Sequence, residues 1–176
     1  MSFNKRVKKV NEELSKKNLE GIYITNLTNV RYLTGFTGSA GSVLILDNIN
    51  HFFTDGRYIE QSKDQVKNCK IHIVGGNYFK YIADNNLIKE RLNIGFESEH
   101  ISVSLFKNLC DAINNIQWIQ CEGIVEKIAA VKDQLEIQSL KTAIEITDEV
   151  FTQIIPELKI GATEKDISAK ISYLFK

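Results

Sequence analysis

The sequence carries no surplus of charge: twenty-two Lys and Arg residues face twenty-two Asp and Glu residues among 176. A chain without a basic excess lacks the electrostatic footprint that nucleic acid or an anionic membrane requires. Its one basic concentration, Lys5, Arg6, Lys8 and Lys9, reads as the solvated face of an N-terminal helix. Long apolar runs are missing too, and no segment approaches the length of a membrane span. The charged N-terminus is not followed by an apolar stretch, and Glu12 and Glu13 oppose a transit-peptide reading. Cysteine is sparse. Cys69, Cys110 and Cys121 are odd in number, show no metal-type spacing and lie near apolar runs. They are expected to be reduced core thiols in a cytoplasmic protein.

Recognisable catalytic motifs are equally scarce. The stretch GFTGSAG at 35–41 holds three glycines spaced Gly-x-x-Gly-x-x-Gly, whereas a phosphate loop ends in Gly-Lys-Ser/Thr and a dinucleotide loop opens a helix. Here the expected order is helix, loop, strand, so no helix N-terminus is offered to an anion. Ser39 is not in a Gly-x-Ser-x-Gly elbow, because position 37 is Thr and the strand follows the serine. His51, His72 and His100 are far apart and lie in or beside strands; they read as strand-edge or loop histidines rather than ligands.

What is present is a regular alternation of elements. Phe3, Val7, Val10 and Leu14 recur at helical spacing up to about Lys17. A strand GIYIT and a short helix LTNVRYLT come next. SVLIL and HFFT, separated by a polar turn at 47–50, read as a hairpin. DGRYIEQSKDQ then reads as a helix with Tyr58, Ile59 and Val66 on its apolar side. Strand KIHIV, helix YFKYIADNNL, strand RLNIGFE, a helix capped by Ser98 or Ser102, and strand IQWIQC complete the series. Such alternation predicts an α/β fold, a mixed β-sheet flanked by helices on both faces. Beyond residue 123 a C-terminal helical hairpin is expected. Asp133 and Glu136 cap a long helix with Ile137, Leu140, Ile144, Phe151 and Ile155 on one stripe as far as Pro156. Thr163 and Asp166 then start a helix bearing Ile167, Ile171 and Leu174. That stripe reaches the C-terminus without a cap signal, so a further layer of a longer, truncated protein is expected.

Asp55, Gly56 and Arg57 sit at a strand-to-helix turn, where Asp55 can cap the helix and Arg57 can reach a carboxylate or carbonyl. A capped turn with a salt bridge is the plain structural reading. Nothing in the chain forms a self-sufficient active site.

Together, NVRYLTGFTGSAGSVLIL and FFTDGRYIEQ resemble the N-terminal domain of Xaa-Pro peptidases, the aminopeptidase P, prolidase and creatinase relatives whose catalytic half has the pita-bread fold. VEKIAAVKDQLEIQSLKTAIEITDEVF and LKIGATEKDIS resemble the linker and opening helices of that half, though AAVKDQLEI lacks an arginine often seen before the lysine. The resemblance implies a creatinase/prolidase-type domain at 1–122 and the start of a truncated catalytic domain at 123–176. It implies a dinuclear metal, manganese, whose Asp, His and Glu ligands lie downstream of this chain, and no catalytic or metal residue within it. The implied parent hydrolyses the bond before proline in short peptides and forms a homodimer, with dimer and tetramer left open. The N-terminal region would aid dimerisation and narrow the entrance. Phe36, Thr37, Gly38, Ser39, Asp55 and Arg57 become candidates for the substrate entrance or subunit interface. A non-catalytic interaction module of a pseudo-peptidase and a creatinase-like C–N hydrolase remain as alternatives.

Overall fold

The computed structural model describes residues 2–46, 49–89 and 91–176, which fall into two compact units, Met1–Val131 and Lys132–Lys176. The first contains α1 (Phe3–Lys16), β1 (Gly21–Ile24), α2 (Leu27–Thr34), β2 (Ser42–Leu46), β3 (Asn50–Thr54), a 3₁₀ turn (Gly56–Tyr58) and α3 (Ile59–Gln65). It continues with β4 (Lys70–Ile73), α4 (Tyr78–Asp84), β5 (Asn93–Glu97), α5 (Val103–Ala112), β6 (Gln117–Cys121) and α6 (Ile124–Ala130). Among the described residues these strands form one six-stranded sheet in the order β4-β3-β2-β1-β5-β6. β2 is antiparallel to β1 and β3, while β1, β5 and β6 run parallel, as do β3 and β4. The sheet is therefore mixed, as the hairpin implied. The expected turn at 47–50 includes Asp47 and Asn48, which lie outside the described residues.

Successive strand side chains point to opposite faces. Ile22, Ile24, Val43, Ile45 and Phe52 join Val7, Val10 and Leu14 of α1 in one core, with α2 and α6 on that side. Tyr23, Leu44, Phe53 and Ile94 turn the other way, toward Phe79 and Ile82 of α4 and Leu109 of α5. Covering both faces explains why GIYI and SVLIL are uninterruptedly apolar instead of alternating. α3 departs from its expected pattern. Ile59 is 37% exposed and the buried position is Ser62, whose hydroxyl is satisfied by the Ile59 carbonyl at 3.0 Å. α6, which no sequence signal marked, follows the expected boundary at 122 and packs on α1 and α2 within the first unit.

The second unit pairs α7 (Gln134–Ile154) with α8 (Glu164–Leu174). Both start with the expected reciprocal caps, Asp133 with Glu136 and Thr163 with Asp166. A 3₁₀ turn at Ile155–Glu157 carries Pro156, and Gly161 adopts φ 96° before α8. Val150 and Ile154 are buried, whereas Leu140, Ile144 and Phe151 are 50–63% exposed. No helix among the described residues is long and apolar enough to cross a membrane.

One carboxylate ties the parallel strands together at their C-terminal ends. Glu97, the last residue of β5, accepts the backbone N–H groups of Thr25 and Asn26 at 2.7 Å each and the Asn29 carboxamide at 2.6 Å. Asn29, itself buried, also donates to Glu126 of α6. At the opposite edge, His51 and His72 on paired strands are both buried. Nδ1 of His51 lies 2.9 Å from Nε2 of His72, and Nδ1 of His72 lies 3.2 Å from the Tyr81 hydroxyl. Such a contact requires one nitrogen to donate and the other to accept, which two neutral rings satisfy and two imidazolium rings do not.

Two outcomes are expected from this packing. Glu97→Gln keeps the shape but sets an amide donor against N–H groups. It should cost about 2 kcal/mol, read as a lower urea midpoint at unchanged slope. For the histidine pair, burial, then His72 and Lys70, push His51 down from its ordinary 6.5 to about 4. Burial and Lys70 lower His72 as well. The unfolded chain thus binds more protons in this window, so the pair's contribution is complete above 6.5 and is lost as pH falls toward 4. Unfolding free energies from urea melts between neutral pH and pH 4.5 should fall more steeply in the wild type than in His51→Gln, by an extra ~1 kcal/mol per pH unit. Parallel profiles would show that the pair does not titrate.

Candidate functional site

The 35–41 loop begins where α2 stops. Asn26 caps that helix through Thr28, and at its other end Gly35 turns to φ 83°, donating its N–H to the Arg31 carbonyl. Glycine adopts this left-handed conformation without a Cβ penalty. The Thr34 hydroxyl donates to the Val30 carbonyl and accepts the Phe36 N–H, so the chain leaves the helix in a fixed direction.

Phe36 then drops into the core and is 1% exposed. Its ring lies 4.7 Å from that of Phe52 and 5.4 Å, edge-on, from that of Tyr58. It fastens the loop and presents no surface of its own. Gly38 lies directly over this packing: a Cβ there would run into the Phe36 ring and come within 2.9 Å of Cδ1 of Tyr58. Thr37 and Ser39 flank it and are exposed.

The loop is held from one side by the segment after β3. The Thr37 N–H donates to Oε1 of Gln65 at 2.9 Å, and its hydroxyl accepts from Gln61 and Gln65 at 3.0 Å each. The Ser39 N–H donates to the Tyr58 hydroxyl at 3.3 Å, and the two hydroxyl oxygens are 2.7 Å apart. The Thr54 hydroxyl donates to the Ala40 carbonyl at 2.7 Å.

Asp55 and Arg57 pair with each other. Asp55 accepts the Arg57 backbone N–H at 3.0 Å and, along one edge of its guanidinium, Nε–H at 2.9 Å and Nη2–H at 2.8 Å. These bonds hold the Asp55 carboxyl below the usual carboxylate range and raise Arg57 further. The Arg57 side chain is 67% exposed, so the pair shapes the turn while adding little stability. Its guanidinium also lies 5.2 Å from the centre of the Tyr58 ring.

Of the candidates read from sequence, Phe36, Thr37, Gly38 and Ser39 thus form one structured loop beside the turn that Asp55 and Arg57 shape. Tyr58, Gln61 and Gln65, which grip that loop, were missed as site residues. Their spacing of three and four along a helix was the available signal. The structure also brings His51 and His72 together, which their sequence separation hid.

The arrangement offers hydroxyls and amides but no reactive nucleophile. Burial pushes the Cys69 thiol up to about 12 and raises Cys121. Among the described residues no group of three or more His, Cys, Asp or Glu side chains could hold a metal ion. The dinuclear metal implied by the resemblance therefore does not fit onto them. A cavity of about 280 Å³ opens at the C-terminal ends of β1, β5 and β6, bordered by Asn26, Glu97, Glu99, His100 and Glu126.

Comparison with known proteins places this architecture. The family described as the creatinase/prolidase N-terminal domain matches residues 6–131. An uncharacterized peptidase of Bacillus subtilis, YqhT, is 31% identical over 171 residues, covering 97% of this chain and 48% of that protein. A solved Xaa-Pro dipeptidase from Bacillus anthracis superposes with a TM-score of 0.89 at 28% identity, over 98% of this chain and 48% of its own. The X-Pro aminopeptidase of Thermotoga maritima gives 0.79 at 31% identity, over 89% and 46% respectively. The chain spans about half the length of the curated relatives it matches. The matched segment coincides closely with the compact unit built on the six-stranded sheet, and on that ground the chain belongs to the creatinase/prolidase N-terminal domain family.

Proposed function

We propose that this chain is the N-terminal part of a metal-dependent Xaa-Pro aminopeptidase or dipeptidase, in which it assists homodimerisation and shapes the substrate entrance. The observation that carries the reading is the 35–41 loop, fixed from beneath by Phe36 and from the side by Tyr58 and Gln65, with Thr37 and Ser39 left facing outward. A rim that restricts entry must hold its shape against the substrate, and this loop is tied down at five of its seven residues, 35, 36, 37, 39 and 40.

A bond before proline has no N–H and a fixed φ, so enzymes that bind substrates as extended strands handle it poorly. A dinuclear metal centre that polarises the carbonyl directly would answer that constraint, while a narrowed entrance limits substrates to short peptides. The metal pair, manganese in this proposal, and the reacting groups belong to the catalytic half. Residues 123–176 carry the chain toward that half, α6 still within the first unit and the α7–α8 hairpin opening the second. The substrates are short peptides with proline in second position, and the location is cytoplasmic.

The 176-residue chain alone should not cleave Xaa-Pro dipeptides or longer Xaa-Pro peptides when manganese is added, while the full-length polypeptide should release the residue before proline in a chelator-sensitive way. Turnover by the shorter chain would overturn the assignment. Full-length protein without turnover, and without the Asp, His and Glu ligands downstream, would instead make it an interaction module.

The entrance role has its own signature. Thr37→Ala and Ser39→Ala in the full-length enzyme should raise KM for short peptides roughly threefold to tenfold with kcat nearly unchanged. Unaltered KM at both positions would reduce the loop to architecture.

A further inference from the structure

The 35–41 loop is irregular along its length, and most of what holds it comes from outside. Within it, only Phe36 enters the core. The exposed residues on either side of Gly38 take their fixed positions from side chains of another segment: Thr37 from Gln61 and Gln65, Ser39 from Tyr58. These three gripping residues project from the 3₁₀ turn and α3, whose start is set by the Asp55 side chain accepting the Arg57 N–H.

We propose that Tyr58 and Gln65 are the positioning residues of the entrance loop, a two-point clamp that fixes the Thr37 and Ser39 hydroxyls and through them the specificity of the enzyme. The proposal rests on the entrance reading above.

The two grips differ in chemistry. Tyr58 works with both parts of its side chain. The ring closes edge-on against Phe36 beneath the loop, while the hydroxyl meets both the N–H and the hydroxyl of Ser39. Gly38 is the residue between ring and loop, and the clash a Cβ would make there measures how closely the clamp is shut. Gln65 uses its carboxamide in both senses, the oxygen taking the Thr37 N–H and the nitrogen donating to the Thr37 hydroxyl. A carboxamide can do this whereas a carboxylate supplies acceptors alone. The chemistry therefore distinguishes Gln65 from a glutamate of the same length.

The test uses the full-length enzyme. Tyr58→Phe keeps the ring on Phe36 and removes only the hydroxyl, so Tm should stay within a degree or two. Hydrogen exchange at the Ser39 amide should rise about tenfold, and KM for short Xaa-Pro peptides should rise roughly threefold to tenfold at constant kcat. Gln65→Glu should retain protection of the Thr37 amide, which Gln65→Ala should lose. The double variant Tyr58→Phe with Ser39→Ala should raise KM no more than the larger single effect, as expected for partners in one contact.

Unchanged exchange across residues 36–40 in Tyr58→Phe would overturn the clamp, as would full additivity in the double variant. Faster exchange with unaltered KM would leave the clamp supported as a feature of the loop and refute the entrance role on which its function rests. Wild-type-like protection of Thr37 in Gln65→Ala would remove Gln65 from the clamp.

Discussion

The carboxylate of Glu97 is the interaction on which the geometry of this domain depends. β1 and β5 are neighbours in the sheet but distant in sequence, and a parallel ladder alone does not decide what the chain does after β1 ends. Glu97 decides it by taking the first two N–H groups past the strand, those of Thr25 and Asn26, and the side chain of Asn29 one turn into α2. A carboxylate accepting several N–H groups forms bonds roughly twice as strong as neutral ones. α2 therefore starts at a defined point, with Asn26 as its cap. Its eight residues then fix where Gly35 turns the chain into the loop. The position of the 35–41 loop is thus inherited from a residue on β5, with β1 between it and β2.

From that origin the loop is shaped by exclusion as much as by attraction. Gly35 supplies a left-handed turn, whereas Gly38 supplies thinness, a place where backbone lies against two aromatic rings. The same motif thus contains two glycines required for different reasons. Between them, burial of Phe36 contributes the apolar free energy that holds an otherwise irregular segment in place, on the order of 1.5–3 kcal/mol for a fully buried side chain of this type. The hydrogen bonds from Tyr58, Gln61 and Gln65 add direction more than stability, because exposed bonds exchange with water at small net gain.

The sheet and most helices were legible because their causes are local. Val7, Val10 and Leu14 keep helical spacing, Asp133 and Thr163 announce helix starts, and apolar strands of four or five residues have no other good solution in a chain of this length. α6 was illegible because it is short and capped by Gly123 without a side-chain bond, so its position comes from packing on α1 and α2. Ser62 at the buried position of α3 reverses the usual assignment, since its hydroxyl is satisfied by a carbonyl one turn back. At the candidate site, sequence marked the loop and the Asp55 turn but not their connection. Tyr58, Gln61 and Gln65 reach Thr37 and Ser39 across separations of 19 to 28 residues, a relation that only the β2–β3 hairpin creates. The His51–His72 contact is hidden for the same reason, since it follows from the β3–β4 register.

On the proposed function, the chemistry of the rim carries a consequence for what it selects. Its exposed residues, Thr37 and Ser39, are uncharged, and the ionic groups beside it, Asp55 and Arg57, neutralise each other at 2.8 Å. The Asp55 carboxylate takes one edge of the Arg57 guanidinium, so the pair meets a peptide terminus with its charge largely cancelled. Such a rim discriminates by shape, and it imposes no preference for acidic or basic side chains. Selection for proline then falls to groups beyond this domain, and the loop's part is to set how much peptide can pass. Rigidity is the property that this role demands, and it is the property that the packing of Phe36, Gly38 and Tyr58 supplies.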